Sequence, residues 1–467
     1  MPDTIKKSTI KSINPFNNEL EKEFIEMEDA QVDAIIQNAD IAFQTWRKVP
    51  FAQRAIIIKK VASILRERKT ELGILATKEM GKLLRESIAE VELSANIFDY
   101  YADNAASFLS DSPLEVAHGE AFLSYEPLGV LLSVQPWNFP FYQITRSAAP
   151  NLMAGNTMVL KHASNVPQCA KVMEDIFLEA GLPQGVYNNI FIQGKAVERL
   201  VSNPAIKAVT LTGSAPAGAS IAGAAGSKLK KSTLELGGSD PFIVLDDADI
   251  ETAAKTTVYG RMWNAGQVCV SPKRVIVAET IADAFLEKVE TLFAGLKIGD
   301  PMDESTDVAP LSSEKAANDV ISQIDKASAQ GATIVTGGKR TQSSGSFVEP
   351  TLITGITPDM DAYKEEIFGP VFMMYVYKTI DEAIEIANAT EFGLGGSVFG
   401  TDIKRAQEVA RRIDTGMVYI NHVTGIAPEL PFGGTKQSGY GREQSPAAIY
   451  EFVNAKLIRT TSPDKAY

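Results

Sequence analysis

The chain has 467 residues, a length that predicts about two or three domains. Apolar residues make up 45% and charged residues 22%, which is the composition of a globular protein with a large core. The net charge is −13 and no basic stripe dominates, which argues against nucleic acid or an anionic membrane surface as a partner. The longest uncharged apolar runs are far below the roughly 20 residues that a membrane span needs.

The compartment is predicted from the N-terminus and the cysteines. Residues 1–7 contain neither the apolar region of a secretory signal nor an Arg-rich amphipathic leader. The chain has two cysteines, too few for the disulfide framework of a small secreted protein, so we expect a reducing, cytoplasmic location. The three histidines are scattered and have no Cys or carboxylate at ligand spacing, so we expect no metal site.

In chain order, the first elements are helices and the next form an alternating series. Apolar residues at three- and four-residue spacing predict helices over 30–48 and 52–82. From Gly129 onward, short apolar runs alternate with helical stretches, a pattern that predicts a parallel sheet with helices on both faces. The predicted strands are 130–134, 157–160, 186–192, 208–212 and 233–236, and the predicted helices are 143–154, 167–180 and 216–225.

A second alternating series begins at Pro241, and we place a boundary near the Gly237-Gly238 pair. Its predicted helices are 250–262, 281–296, 313–330 and 381–389, and its later strands are 274–277, 333–335, 371–377 and 397–399. Segments 114–125 and 451–460 are predicted to be strands outside both series. Unpaired edges of that kind are often used for contacts between subunits.

Cys269 is the first candidate catalytic residue. It lies in a loop-like run between Gly266 and Pro272, where a thiol with a nearby base or a depressed pKa would be a nucleophile. The alternative is a small buried hydrophobic residue, the usual role of a free cysteine. Cys169 lies within a predicted helix, and we interpret it as a packing residue.

Glu235 and Asn138 are the other two candidates. Glu235 ends an apolar strand, where its carboxylate either faces solvent or is desolvated and suited to proton abstraction. Because no histidine pairs obviously with a Cys or Ser, Glu235 is the favoured base. Asn138 lies between Pro136 and Pro140; it either stabilises that turn or donates to an oxyanion together with the backbone N–H of Cys269.

A glycine-containing turn follows the predicted strand 208–212 and opens a predicted helix. The N–H groups of such a turn, with Gly213, Ser214 and Gly218, can bind a phosphate, although an ordinary strand-to-helix turn is equally compatible with it. Lys161 ends an earlier strand, where it either reaches a ribose hydroxyl or phosphate or is a solvated surface lysine.

Six motifs, in order along almost the whole chain, resemble those of the aldehyde dehydrogenase superfamily. They are Pro136-Trp137-Asn138-Phe139-Pro140, Gly213-Ser214 with Gly218, Glu235-Leu236-Gly237-Gly238, Gly266-Gln267-Val268-Cys269, Glu365-Glu366-Ile367-Phe368-Gly369-Pro370 and Pro431-Phe432-Gly433-Gly434. The resemblance implies an α/β fold with a variant Rossmann cofactor domain, an α/β catalytic domain and a small β oligomerisation arm. The implied boundaries are 1–109 with 128–237, then 238–440, and 110–127 with 441–467.

The resemblance also implies an activity and a role for each site residue. The activity is NAD(P)-dependent oxidation of a small aldehyde to an acid, with Cys269 as nucleophile and thioester carrier, Glu235 as general base and Asn138 as oxyanion donor. Glu366 and Phe368 match positions that hold the nicotinamide ribose and the nicotinamide. The full expected cofactor set is Trp137, Lys161, Ser164, Gly213, Ser214, Gly218, Leu236, Glu366 and Phe368.

Within the superfamily the chain looks most like the succinate-semialdehyde dehydrogenases. Arg146 matches the arginine that those enzymes provide for the substrate carboxylate, and a guanidinium binds a carboxylate through two parallel hydrogen bonds. A surface arginine is the alternative. A second arginine, which some of these enzymes place just before Pro431, is absent from 421–430, so glutarate semialdehyde or a broad range of aldehydes stays open.

The resemblance leaves the cofactor and the assembly open between alternatives. Serine stands at position 164, where NAD-preferring relatives usually have glutamate; a 2′-phosphate is therefore permitted, with Lys161 able to pair with it, and both NADP and NAD are plausible. The implied assembly is a homodimer or homotetramer. Two other classes stay open: a cofactor-independent thiol hydrolase or acyltransferase that uses Cys269 and Glu235, and a non-catalytic structural protein.

Overall fold

The computed structural model describes residues 8–341 and 344–463. Residues 1–7, on which the prediction of no leader rests, lie outside the described residues. The helices are α1 (Asp29–Trp46), α2 (Phe51–Glu67), α3 (Lys69–Met80), α4 (Leu84–Phe108), α5 (Pro140–Ala154), α6 (Pro167–Glu179), α7 (Val197–Val201), α8 (Ala215–Gly226), α9 (Ile250–Met262), α10 (Ala282–Ala294), α11 (Glu314–Ala329), α12 (Ile380–Asn388), α13 (Ile403–Ala410) and α14 (Ser445–Glu451). The strands are β1 (Thr9–Asn14), β2 (Glu19–Ile25), β3 (Ser112–Leu114), β4 (Glu120–Pro127), β5 (Val130–Gln135), β6 (Thr157–His162), β7 (Tyr187–Asn189), β8 (Ile206–Thr212), β9 (Lys231–Glu235), β10 (Pro241–Val244), β11 (Arg274–Ala278), β12 (Thr333–Thr336), β13 (Thr351–Thr354), β14 (Val371–Tyr377), β15 (Phe392–Gly393), β16 (Ser397–Phe399), β17 (Tyr419–Ile420), β18 (Thr435–Lys436), β19 (Gly439–Tyr440) and β20 (Val453–Thr460).

Two sheets organise the chain, as the two alternating series predict. The first has the order β19-β9-β8-β5-β6-β7, in which all neighbours are parallel except β19 with β9. The second has the order β12-β13-β14-β11-β10-β16-β17, in which all neighbours are parallel except β12 with β13. The predicted α/β class with parallel sheets is therefore confirmed.

Both faces of the first sheet are buried, because its central strands are almost wholly apolar. Leu131 on one face packs into a core formed with helices α2 to α6, whereas Val130 and Leu132 pack on the other face with α1, α7 and α8. This alternation follows from the two-residue period of a strand. Helix α5 is buried along its whole length, which brings its polar residues into the interior. The second sheet has its own core with helices α9 to α13.

A third sheet, of order β20-β4-β3, lies outside both series. Strand β20 pairs antiparallel with β4 from Val453 opposite Pro127 to Thr460 opposite Glu120. Leu457 on β20 is 58% exposed. The two segments predicted as strands outside the series therefore pair with each other. The three-part domain division stays a prediction, and Ile449, assigned to the arm, packs in the first core.

Some predicted elements differ from those in the structure. The predicted helix 52–82 is two helices, α2 and α3, because the chain turns at Arg68, whose φ and ψ are −104° and 12°. The hairpin β1–β2 was not predicted, since the exposed β2 sequence is mostly charged. The predicted strand 186–192 pairs only over Tyr187–Asn189. Beyond it, the carbonyl of Phe191 accepts the N–H of Met27 outside the sheet. No helix in the described ranges is long and apolar enough to cross a lipid bilayer.

Candidate active site

A cavity of about 400 Å³ lies at the carboxyl ends of strands β5, β8 and β9. Its opposite wall comes from the loops that precede β11 and β14 in the second sheet. The carboxyl edge of a parallel sheet is where α/β proteins bind their ligands. The predicted site residues in its wall are Trp137, Asn138, Gly213, Ser214, Glu235, Leu236, Cys269, Glu366 and Phe368. The structure thus brings together residues that lie more than two hundred positions apart in the chain.

Lys161, Ser164 and Gly218 are not among the residues that line the cavity. Lys161 is the last residue but one of β6 and is 8% exposed, which excludes a solvated surface lysine. Burial lowers the pKa of its ammonium group. Ser164 follows the same strand by two residues, at the edge of the sheet that also holds Gly213. A Cβ at Gly218 would come 2.6 Å from the side chain of Leu236, so glycine allows α8 to pack closely against the cavity wall.

The amide of Asn138 is held in one orientation. Its Nδ2 donates to the carbonyl of Gln267 at 3.2 Å, and its Oδ1 accepts from Nε2 of Gln143 at 3.1 Å. An amide nitrogen has two hydrogens, so one donor of Asn138 is left for a ligand in the cavity. The Asn138 carbonyl accepts from Nδ2 of Asn264 at 2.9 Å, which ties this turn to the loop of Cys269.

A buried ion pair, which the sequence did not reveal, supports the Asn138 turn from below. Oε1 of Glu90 accepts the N–H groups of Phe141 at 2.7 Å and Tyr142 at 3.0 Å, where α5 begins. The carboxylate thus satisfies backbone donors that a helix start leaves free, and its charge complements the helix dipole. Lys82 pairs with the other oxygen of Glu90 and lies 3.8 Å from the ring centroid of Phe139.

The loop before Cys269 has an unusual backbone. Asn264, Ala265 and Gly266 have φ values of 50°, 50° and 76°, all in the left-handed region. A Cβ at Gly266 would lie 2.0 Å from the carbonyl oxygen of Gly369, so only glycine fits there. The cost of such strain must be offset by contacts. Arg261 provides some of them, with its guanidinium donating to the carbonyl groups of Val371, Ile367, Gly369 and Gly266.

The Cys269 thiol is partly buried and its pKa is strongly perturbed. Burial raises the pKa of this thiol well above its ordinary value, and the nearby charge of Glu235 raises it further. The positive charges of Arg146 and Lys273 act in the opposite direction. Burial therefore favours the protonated thiol, and the two cations are the groups that favour its ionisation. Cys169, in contrast, is fully buried in the first core.

Lys273 connects Cys269 to the predicted ribose site. This lysine is fully buried, and its Nζ donates to the carbonyls of Val268 at 2.9 Å and Cys269 at 2.6 Å. The same Nζ lies 3.1 Å from Oε1 of Glu366. A Cβ at Gly237 would lie 2.2 Å from Oε2 of Glu366, which explains the glycine beside that carboxylate. The sequence contains one signal for the contacts of Lys273 with Cys269 and Glu366: a lysine stands four residues after the candidate nucleophile, before an apolar strand.

Arg146 lies between two carboxylates behind the cavity wall. Its Nη2 donates to Oε2 of Glu235 at 2.6 Å and to Oγ1 of Thr212 at 2.7 Å, and its Nε lies 2.6 Å from Oε2 of Glu443. The side chain has no exposed surface, so the alternative of a surface arginine is excluded. Burial alone would lower the pKa of Arg146, but the charges of Glu443 and Glu235 raise it well above its ordinary value. Arg146 as a ligand for the substrate stays a prediction.

Glu443 is a further residue that the sequence did not reveal. Burial raises the pKa of this carboxyl to about 7, although the charge of Arg146 acts the other way. It precedes Gln444 and Ser445, whose φ values of 58° and 54° are again left-handed. The hydroxyl of Tyr101 donates to the Ser445 carbonyl at 2.8 Å and so fixes this segment. Among the described residues, no group of three or more His, Cys, Asp or Glu side chains is placed to hold a metal ion.

The chain is similar to known proteins over almost its whole length. The model of the Aldehyde dehydrogenase family matches residues 3–458. A succinate-semialdehyde dehydrogenase (NADP(+)) of Deinococcus radiodurans is 49% identical over 448 residues, 96% of this chain and 94% of that protein. A probable enzyme of the same name from Synechocystis is 44% identical over 449 residues, 96% of this chain and 99% of that protein. The crystal structure of succinic semialdehyde dehydrogenase from Streptococcus pyogenes in complex with NADP+ is 45% identical, covers 97% of this chain and 100% of that chain, and has a TM-score of 0.95.

The contacts of Lys273 predict its influence on the thiol. In Lys273→Met the nearby positive charge is lost, so the pH profile of Cys269 alkylation by iodoacetamide should move to higher pH, with a several-fold slower rate at neutral pH. Lys230→Met is the matched control, because Lys230 also donates to two carbonyls, those of Val201 and Asn203, away from the cavity. An unchanged profile in Lys273→Met would show that its charge does not act on the thiol.

Proposed function

This chain belongs to the aldehyde dehydrogenase family and is an aldehyde-oxidising enzyme; we propose that its substrate is succinate semialdehyde and its preferred cofactor NADP. One observation carries the proposed chemistry: Cys269, Asn138 and Glu235 share the wall of one cavity with Glu366 and the turn at Gly213. The curated relatives named above support the substrate and the cofactor. A cofactor-independent thiol hydrolase or acyltransferase would not need Glu366 or the turn at Gly213.

The cleft fits a dinucleotide. Ser214 precedes α8 and makes no side-chain capping hydrogen bond to it, so the first N–H groups of that helix are open to a pyrophosphate. Glu366 would hold the nicotinamide ribose. Phe368, which packs edge-to-face on Trp137 with ring centroids 5.9 Å apart, would contact the nicotinamide. The bound cofactor supplies the acceptor for the hydride of the substrate.

The residues of the chain perform the remaining steps. The thiolate of Cys269 attacks the carbonyl carbon, and the free N–H of Asn138 and the backbone N–H of Cys269 stabilise the oxyanion. Once the hydride has left, the acyl group is a thioester on Cys269. Glu235 takes a proton from water, the water oxygen bonds to the acyl carbon, and the C–S bond breaks to return the thiolate and release the acid.

Arg146 is the proposed group for the distal carboxylate of the substrate. It is a buried cation close enough to Cys269 for its charge to act on the thiol, and its Nη1 has no hydrogen-bond partner in the protein. A buried donor without a partner is costly, so a carboxylate that reached Nη1 would be bound strongly. Glutarate semialdehyde, with one more methylene, is the competing substrate.

The proposed NADP preference rests on the end of β6. Ser164 brings no negative charge to this edge of the sheet, and the buried ammonium group of Lys161 is available to a 2′-phosphate. We also propose that the chain works in the cytoplasm as a homodimer or homotetramer. The sheet β20-β4-β3 would form the contact, and the exposed Leu457 supports it.

The roles of Cys269 and Glu235 are tested by two variants. Cys269→Ala removes the nucleophile and should abolish turnover. Glu235→Gln keeps the shape of the side chain but cannot accept a proton, so hydrolysis should become slow and a thioester on Cys269 should accumulate, detected by mass spectrometry of acid-quenched enzyme. Wild-type turnover by Cys269→Ala, or no thioester in Glu235→Gln, would contradict these roles.

The role of Arg146 is tested with two aldehydes of equal length, succinate semialdehyde and butanal. Arg146→Met should lower the ratio of their kcat/KM values by about 10- to 150-fold, the effect of losing about 1.5–3 kcal/mol from one charged hydrogen bond. Arg54→Met is the control, because Arg54 is also buried and also has side-chain nitrogens without partners, but it lies on α2 outside the cavity wall. An equal loss of kcat/KM for both aldehydes in Arg146→Met would contradict the proposal that Arg146 binds the substrate carboxylate.

The cofactor preference is tested at Ser164. Ser164→Glu places a carboxylate where the 2′-phosphate of NADP is expected, so KM for NADP should rise at least about tenfold through like-charge repulsion while KM for NAD changes little or falls. Steady-state kinetics with both cofactors measures the effect. If the unaltered enzyme excludes NADP, the proposed preference is wrong.

A further inference from the structure

The buried group of Arg146, Glu235 and Glu443 is incompletely satisfied. One guanidinium faces two carboxylates, and the three residues are 1%, 2% and 7% exposed. Arg146 Nη1 and Glu235 Oε1 have no hydrogen-bond partner, whereas Nε of Arg146 and Oε2 of Glu443 form an ion pair at 2.6 Å. Unpaired polar atoms at this depth are costly. The group is therefore poised for rearrangement when another charged partner arrives.

The same contact holds one oxygen of the Glu235 carboxylate. Its Oε2 accepts the Nη2 hydrogen of Arg146 at 2.6 Å, so this oxygen is not free to take a proton from water while the contact lasts. Another partner for Arg146 would release it.

The proposed substrate does provide one. A third carboxylate on a single buried guanidinium would leave an excess of negative charge that the interior cannot hold. Glu443 does not line the cavity. Glu235, in contrast, ends a strand at the cavity wall, beside Gly237. Of the two carboxylates, Glu235 is the one with room to move.

We propose that the substrate carboxylate replaces Glu235 on Arg146 and so releases Glu235 towards the acyl group on Cys269. The inference rests on the proposed function and deepens it. The substrate carboxylate then contributes to specificity in two steps. It binds Arg146, and it frees the base for thioester hydrolysis. A neutral acyl group leaves Glu235 on Arg146. Such an aldehyde should form the thioester but lose it slowly, so specificity appears in kcat as well as in KM.

The charged groups around the thiol and the base come from every element packed there. Arg146 and Tyr142 lie on α5, Glu235 ends β9, Lys273 follows Cys269 in its own loop, and Glu443 precedes α14. The charge of Lys273 is already engaged by Glu366 and two carbonyls. Arg146 is thus the cation whose partner can change without disturbing the ribose site.

In the experiment, succinate semialdehyde is replaced by two smaller molecules. Acetaldehyde provides the aldehyde, and acetate provides the carboxylate. Wild-type enzyme with NADP is mixed rapidly with acetaldehyde and quenched in acid, and mass spectrometry follows the lifetime of acetyl-Cys269. We expect hydrolysis about tenfold or more slower than for the succinyl thioester, up to the roughly 10²- to 10⁴-fold that general base catalysis contributes. Added acetate should shorten the lifetime, whereas neutral acetamide should not. Acetate should have no effect in Arg146→Met.

Two results would overturn the proposed exchange of carboxylates on Arg146. The first is that the acetyl and succinyl thioesters have equal lifetimes, and the second is that acetate does not change the lifetime of the acetyl thioester. The proposed function would survive either result if succinate semialdehyde still had the higher kcat/KM. It would fail separately if succinate semialdehyde showed no advantage over butanal. Because the lifetime is read on the acyl-enzyme itself, a slow acylation step does not hide the effect.

Discussion

The active site depends on charges that are buried and must therefore find their partners within the protein. Lys82 with Glu90 supports the Asn138 turn, Lys273 links the Cys269 loop to Glu366, and Arg146 faces Glu235. An ion that loses its partner in such surroundings costs about 3–5 kcal/mol, which is a large part of the stability of an average domain. These pairs consequently hold the reacting groups in place more firmly than loop contacts alone would.

The same burial acts on the proposed nucleophile. Desolvation raises the pKa of the Cys269 thiol and so favours its protonated, less reactive form. Arg146 and Lys273 oppose this effect, and each of them also contacts a carboxylate, Arg146 that of Glu235 and Lys273 that of Glu366. In the proposed mechanism, the reactivity of the thiol therefore depends on which carboxylates these two cations contact.

Much of this could be predicted from the sequence, for identifiable reasons. Strands such as β14 and β16 are apolar runs with clear ends, Asn138 lies in the loop after β5, and Glu235 ends β9. Parallel strands bring such positions to one edge of a sheet. Cys269 lies in a loop before β11 of the second sheet, so its approach to the other two residues depends on how the two sheets pack. The partners of Arg146 could not be predicted, because Glu443 is distant in the chain and follows no strand or helix pattern. The arginine alone indicated a ligand, whereas the structure shows that two protein carboxylates already contact it.

The C-terminal segment has a double role that follows from its path. Glu443 contacts Arg146, the short helix α14 begins two residues later, and β20 then leaves the first core to pair with β4. Barely ten residues separate a carboxylate deep in the interior from a strand on the surface. Trimming or resurfacing this end of the molecule would therefore disturb the electrostatics next to Cys269.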